Sequence, residues 1–342
     1  MSEPLLLRAL RREPVERPPI WLMRQAGRYM AEYRAVREGV SFLELCERPK
    51  LCADVMKTAV DRIGVDAAII FSDLLPILRP MGFDLSFEVG DGPKISNPFR
   101  EKEDLARVRE LSDVSPLSFV FETVAETRRA VDPLPVIGFA GAPFTLAGYA
   151  IEGGTSRNFL RTKKLMWESP DVWRELLGRL ARSAARYLNA QIASGARVVQ
   201  IFDSWVGQLG VQDFRESVLP ALRELRAAIT PGVPVIYFGT GNPALLPSFG
   251  ELGTDCVGVD WRIPIERAWD LIGRDRAIQG NLDPAVLLAS ESVVEREATR
   301  ILRAVGSKPG FVFNLGHGIH KETPVENVVR LVETVKNFRA RQ

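Results

Sequence analysis

The sequence predicts an α/β fold, a single (β/α)8 TIM barrel with inserted loops spanning residues 1–342. Three observations carry this. Short apolar runs rich in Val, Ile and Phe recur along the whole chain, and a Gly/Pro/Asn/Asp cluster and then a helical period follow them. Most of the runs are continuously apolar instead of alternating, as parallel strands covered on both faces are. No Gly-x-Gly-x-x-Gly turn follows the first run, which weighs against the runner-up, a doubly wound sheet of the dinucleotide-binding kind.

Eight strand candidates follow in order: PIWLM (19–23), DAAIIFSD (66–73), PVIGFAG (135–141), ARVVQIFDS (196–204), PVIYFG (234–239), CVGVDW (256–261), AIQGNLD (277–283) and FVFNLGH (311–317). Helical patterns lie between them: LCADVMKTAVDRIG, FVFETVAETRRAV, WRELLGRLARSAARYLNAQIASG, FRESVLPALRELRAAI, IERAWDLIG and VVEREATRILRAV, with ENVVRLVETVKNFRA after the last strand. Eight alternations over 342 residues fit one barrel with insertions better than two domains.

Composition excludes several classes. With 46% hydrophobic residues and 3 Cys, the chain is neither disordered nor a disulfide scaffold, and Cys46, Cys52 and Cys256 read as reduced thiols with no Cys-x-x-Cys pair. The 45 Lys+Arg and 43 Asp+Glu leave a formal charge of +2, so no general field exists to hold nucleic acid. Leu5 to Leu7 is too short an apolar run for a signal-peptide core. No uncharged stretch approaches the roughly 20 residues that cross a bilayer. A soluble cytoplasmic protein is expected.

In a barrel, chemistry gathers where strands end and βα loops begin. After the first run come Arg24, Gln25 and Arg28; after the second, Ser72 and Asp73; after the third, Phe144 and Tyr149. Later runs end in Phe202, Asp203 and Ser204, in Asp260, in Asn281 and Asp283, and in Asn314 and His317. Arg24 and Arg28 are four apart and would share a face if the loop turned helical, ready to grip carboxylates; a solvated surface pair is the plainer reading. Asp73, closing an apolar strand, either faces a ligand or caps the next segment, and Asp203-Ser204 has the same ambiguity. The two histidines, His317 and His320, have no third ligand nearby that would suggest zinc. His317 between Gly316 and Gly318 reads as a hydrogen-bond donor to ligand, with a phosphate nest as the competing reading.

The segment RPPIWLMRQAGRYMAEYR resembles the N-terminal signature of the uroporphyrinogen decarboxylase family. So do FSDLLPILRPMGFDLSFEVGDGPKISNP, GFAGAPFTLAGYAIEGG, QIFDSWVGQL, the region of QGNLDP, and FNLGHGIH, in order from about residue 4 to 335. The resemblance implies a homodimeric barrel of tetrapyrrole and haem biosynthesis. Such an enzyme converts the four acetate arms of uroporphyrinogen III to methyl groups, giving coproporphyrinogen III and carbon dioxide without metal or organic cofactor. It implies substrate binding by Arg24, Gln25, Arg28, Asp73, Tyr149, Ser204 and His317, with apolar contact from Phe144 and Phe202. Where many relatives have Ser/Thr-Lys-Gly after the fifth strand, this chain has Phe238-Gly239-Thr240-Gly241-Asn242, so no lysine role carries over. The stretch 155–165, with Arg157 and Lys163-Lys164, reads only as a lid, hinged at Gly153-Gly154.

The chemistry suits these residues. An acetate on a pyrrole loses carbon dioxide once the protonated ring can accept the electrons, a role that cofactors usually fill. Asp73, accepting from converging pyrrole N–H groups, would then be counter-ion to the cation, with arginines holding the carboxylate rim. Asp73 and Arg24 are the expected catalytic pair, Arg24 orienting or delivering a proton. Two alternatives compete: a zinc-dependent methyltransferase of a related barrel, although Cys256 has no histidine two residues before it, and a non-catalytic tetrapyrrole carrier, which could dispense with Asp73.

Overall fold

The computed structural model describes residues 3–88 and 92–339. Outside them lie Ala340, at the end of the expected last helix, and residues 89–91 of the segment after the second strand.

The N-terminal helix α1 (Leu5–Leu10) leads to the loop that carries Arg24; α2 (Ala31–Glu38), α3 (Phe42–Cys46) and α4 (Pro49–Ile63) follow. Then come strand β1 (Ala68–Ile69), the hairpin β2 (Leu85–Glu88) and β3 (Gly92–Ile95), helix α5 (Ser118–Val131) and β4 (Val136–Gly141). Next are α6 (Pro143–Glu152), α7 (Leu160–Glu168), α8 (Pro170–Ala193), β5 (Val198–Asp203), α9 (Val211–Ser217), α10 (Leu219–Ala227) and β6 (Val235–Gly239). The chain ends with α11 (Leu246–Gly250), β7 (Cys256–Gly258), α12 (Ile265–Ile272), β8 (Ala277–Leu282), α13 (Glu291–Val305), β9 (Phe311–Leu315) and α14 (Val325–Asn337).

The sheet is parallel throughout, in the order β1-β4-β5-β6-β7-β8-β9, so seven of the eight expected runs are strands in sequence order. The curled sheet with surrounding helices is an α/β barrel. The first run, 19–23, differs: it makes a single parallel bridge, Ile20 to Phe313. Pro18 and Pro19 have no N–H to give a ladder, and Ile20 N donates to the Asp66 carboxylate (2.8 Å), itself gripped by both Arg17 Nη atoms at 2.7 Å. The segment still touches both neighbours: Phe313 N donates to Pro19 O (2.8 Å) and Asp66 N to Ile20 O (2.8 Å). At the same place α14 packs on both α13 and α4.

Two differences in the helices have simple causes. FRESVLPALRELRAAI is divided at Val218 into α9 and α10, since Pro220 cannot donate within a continuous helix. The segment PFTLAGYAIE forms the unforeseen α6, which is buried nearly all round and therefore shows no amphipathic period.

The barrel interior holds a polar layer beneath an aromatic one. Trp21 Nε1 donates to Gln279 Oε1 (2.8 Å), and Gln279 Nε2 to Gln200 Oε1 (3.0 Å). β5 and β8 are not neighbours in the sheet, so this contact crosses the interior and fixes Gln200 as inward-facing. Phe202, two residues on, shares that face. It meets Phe139 and Phe238 edge to face, at 5.5 and 5.8 Å between ring centres.

Candidate active site

Arg24 follows the bridging segment on a left-handed backbone, φ +62, which a side-chain-bearing residue adopts only when its surroundings hold it there. Those surroundings are the end of β9. Met23 N donates to Asn314 Oδ1 (3.2 Å), and Ile319 N to Met23 O (3.1 Å). The Arg24 side chain lies across Gly318, where a Cβ would come within 2.5 Å of Arg24 Cδ. Gly316 likewise yields to Trp261, whose backbone N would be 2.7 Å from a Cβ there. These glycines thus admit neighbouring protein groups, a physical alternative to the close ligand approach that their spacing suggested.

Asp73 follows β1 and lies within reach of the Arg24 charge. Part of its surface reaches solvent, yet protein crowds the carboxylate, and this burial raises its pKa. The N–H of Leu75, donating at 2.9 Å, and the charge of Arg24 pull in the other direction. Asp73 therefore does start the following turn, as the capping reading held, while standing in the field of Arg24.

Tyr149 on α6 completes this group. Burial pushes its hydroxyl up to about 12, with the Asp73 charge adding and Arg24 opposing. Its ring is edge-on to Trp205 at 5.9 Å. His317 stands at the end of β9. Burial, then Arg24, then His320 and Arg262, depress its imidazole to about 4. It is therefore neutral near pH 7, a hydrogen-bonding group instead of a general acid.

Asp203 and Ser204 separate. Asp203 is fully buried and accepts from Thr145 Oγ1 (2.7 Å) and Tyr237 OH (2.8 Å); burial raises its pKa to about 6. Thr145 precedes Tyr149 by one helical turn on α6, so this contact docks the helix that carries Tyr149. Half-buried Ser204 accepts from Thr240 Oγ1 through its backbone carbonyl, at 2.8 Å. The Gly239–Asn242 turn is tied down elsewhere too: Gly241 N donates to Asp260 (2.7 Å) and Asn242 Nδ2 to Leu209 O (2.9 Å).

Several expectations need correction. Gln25 is fully buried, accepting from Leu22 N (3.5 Å) and donating to Ala67 O (3.3 Å), so it fixes the loop's fold. Phe144 is also fully buried, packed on Phe159 and Trp173 at 6.3 and 6.1 Å, so in this conformation its ring contacts protein on all sides. The loop after Met23 forms turns, not helix, so Arg24 and Arg28 share no helical face. Arg28 is exposed farther along, its charge reaching Tyr33. The hinge proposed at Gly153-Gly154 is bonded to β3, Ile95 N donating to Gly153 O (2.9 Å), and Phe159 anchors the next segment in the core.

The thiols of Cys46, Cys52 and Cys256 are buried and held protonated, Cys52 pushed up to about 12. No cluster of three or more His, Cys, Asp or Glu forms among the described residues.

The uroporphyrinogen decarboxylase (URO-D) family model matches residues 1–338. The chain belongs to this family. Among uroporphyrinogen decarboxylases, that of Carboxydothermus hydrogenoformans is 48% identical over 331 residues, 96% of this chain and 95% of the relative. That of Koribacter versatilis is 49% identical over 337 residues, 98% and 96% of the two chains. A methyltransferase from Methanosarcina mazei shares the fold, with a TM-score of 0.82 at 21% identity over 97% of each chain. Arg262, beside His317, escaped the sequence reading. Arg262 follows Asp260 at a strand end, and that position was the available signal.

Proposed function

We propose that this chain decarboxylates the four acetate arms of uroporphyrinogen III to methyl groups, giving coproporphyrinogen III, in one barrel domain whose cleft lies at the C-terminal ends of the strands. Family membership with about 48% identity across the chain supports this role in tetrapyrrole biosynthesis. The observation that carries the mechanism is the pairing of one crowded carboxylate, Asp73, with the Arg24 charge at the same strand ends.

Protonation of the ring carbon adjacent to the one bearing the acetate makes a cationic, iminium-like ring. The carbon–carbon bond to the carboxylate breaks, its electron pair forms an exocyclic methylene and neutralises the ring, and carbon dioxide departs. The methylene takes up a proton and the ring carbon returns one, so each arm consumes one proton net. Asp73 accepts from the pyrrole N–H groups and faces the cation, where its attraction grows as charge develops. Arg24 orients the reacting acetate and delivers the proton, while Tyr149, Ser204, Arg28 and neutral His317 hold carboxylates at the rim. Phe202 offers apolar contact to the macrocycle. The enzyme works as a cytoplasmic homodimer without metal or organic cofactor. No helix among the described residues is long and apolar enough to cross a membrane.

The test is anaerobic incubation with uroporphyrinogen III and chelator, then chromatography of the oxidised porphyrins. Stepwise hepta- to tetracarboxylate products are expected. Tight binding without carbon dioxide release would instead mark a carrier, and loss of activity to chelator would mark a metal enzyme.

A further inference from the structure

Arg262 stands two residues past Asp260 in the turn after β7. Its backbone N donates to Asp260 Oδ1 (3.0 Å), and its Nη1 donates to Asp260 Oδ2. Asp260 is itself almost fully buried and also accepts from Gly241 N, so three donors share its charge. Asn281 Nδ2 fixes the turn by donating to the carbonyls of Asp260 (2.9 Å) and Ile263 (2.8 Å). The guanidinium lies over the Trp261 ring, 4.4 Å from its centre. One edge and one face of Arg262 are thereby fixed, which removes much of the entropy that a free arginine loses on binding.

The rest of the group is open. The side chain is 46% exposed, and its Nε and Nη2 have no hydrogen-bond partner among the described residues. Its neighbour Trp261 packs its backbone against Gly316, and its charge reaches His317 together with that of Arg24. His317 therefore has Arg24 against the glycine that follows it and the Trp261–Arg262 turn against the glycine that precedes it. A cation so held presents free N–H groups to a carboxylate at the rim, the geometry in which arginine outperforms lysine.

We propose that Arg262 is a further carboxylate-binding residue of this cleft, taking one propionate of the substrate on its open edge. The proposal rests on the reading that the cleft holds uroporphyrinogen. The test is anaerobic steady-state kinetics on wild type, Arg262→Ala and Arg262→Lys, with fluorescence titration of each by uroporphyrin and its unfolding midpoint. Arg262→Ala is expected to raise KM about ten-fold and weaken uroporphyrin binding by a similar factor. kcat stays within about three-fold of wild type, and the unfolding midpoint is unchanged. Arg262→Lys recovers part of the KM, since it keeps the charge and loses the fork. An unchanged KM, or a kcat that falls together with the unfolding midpoint, overturns the proposal in favour of a structural pin for Asp260. If the wild type does not turn over uroporphyrinogen, the underlying reading has failed; an unchanged uroporphyrin affinity in Arg262→Ala then overturns this proposal separately.

Discussion

Replacing Asp203 by Asn isolates the electrostatic cost of the carboxylate beneath the cleft. Asp203 is fully buried, and its pKa is raised from the ordinary 3.8 to about 6 by that burial, although Thr145 and Tyr237 both donate to it. Between those two values the folded protein binds more protons than the unfolded chain, so this group's contribution to stability is greatest at low pH and is lost as pH rises through the folded value. A displacement of about two pH units corresponds to about 3 kcal/mol in full, of which about 1.4 kcal/mol falls between about pH 5 and pH 8. Asparagine is nearly isosteric, and both hydroxyl partners can turn to suit an amide. Urea unfolding of wild type and Asp203→Asn at those two pH values therefore shows the variant gaining about 1.4 kcal/mol relative to wild type at the higher pH. A stability difference that is the same at both values refutes the assignment of Asp203 as a buried titrating group.

Other outcomes follow from the same geometry. Gly318→Ala drives a methyl group into the Arg24 side chain and is expected to cut kcat/KM about ten-fold with little change in unfolding midpoint, read by kinetics and thermal melts. His317→Asn makes the protein less sensitive to mild acid. The native imidazole is held neutral down to about 4, so the unfolded chain gains a proton first as pH falls and wild-type stability drops there. Acid unfolding of the two proteins, compared side by side, checks the direction. Gln25→Ala should cost about 1–3 kcal/mol of stability, because it leaves Leu22 N and Ala67 O without their partner, while KM of the folded fraction stays unchanged.

The strands were legible because parallel strands buried on both faces leave continuously apolar runs, here rich in Val, Ile and Phe and each followed by turn residues. The 19–23 run failed as a ladder because two prolines and the Asp66 side chain take the place of neighbouring N–H bonds, a fact that depends on a residue far along the chain. The hairpin of Leu85–Glu88 and Gly92–Ile95 did carry an alternation in Leu85-Ser86-Phe87-Glu88, but four residues beside longer apolar runs are a weak signal. Position at strand ends singled out Arg24, Asp73, Tyr149 and His317, and in the structure the Arg24 charge acts on the other three. It could not say which way a side chain turns. Gln25 shares the loop of Arg24, and Phe144 the helix of Tyr149, yet both point into the protein, a choice fixed by packing partners distant in sequence.

Asp73, as proposed, stabilises a ring cation. At an effective dielectric near 20, an ion pair about 4 Å apart is worth about 4 kcal/mol, or about 10³-fold in rate, and the burial that raises the pKa of Asp73 moves the acid limb of activity upward. The direct measurement is single-turnover decarboxylation of uroporphyrinogen III by wild type and Asp73→Asn, with uroporphyrin affinity measured on both. A rate loss of about 10³-fold is expected in the variant, with affinity within about ten-fold of wild type. Near-normal turnover by Asp73→Asn would contradict it.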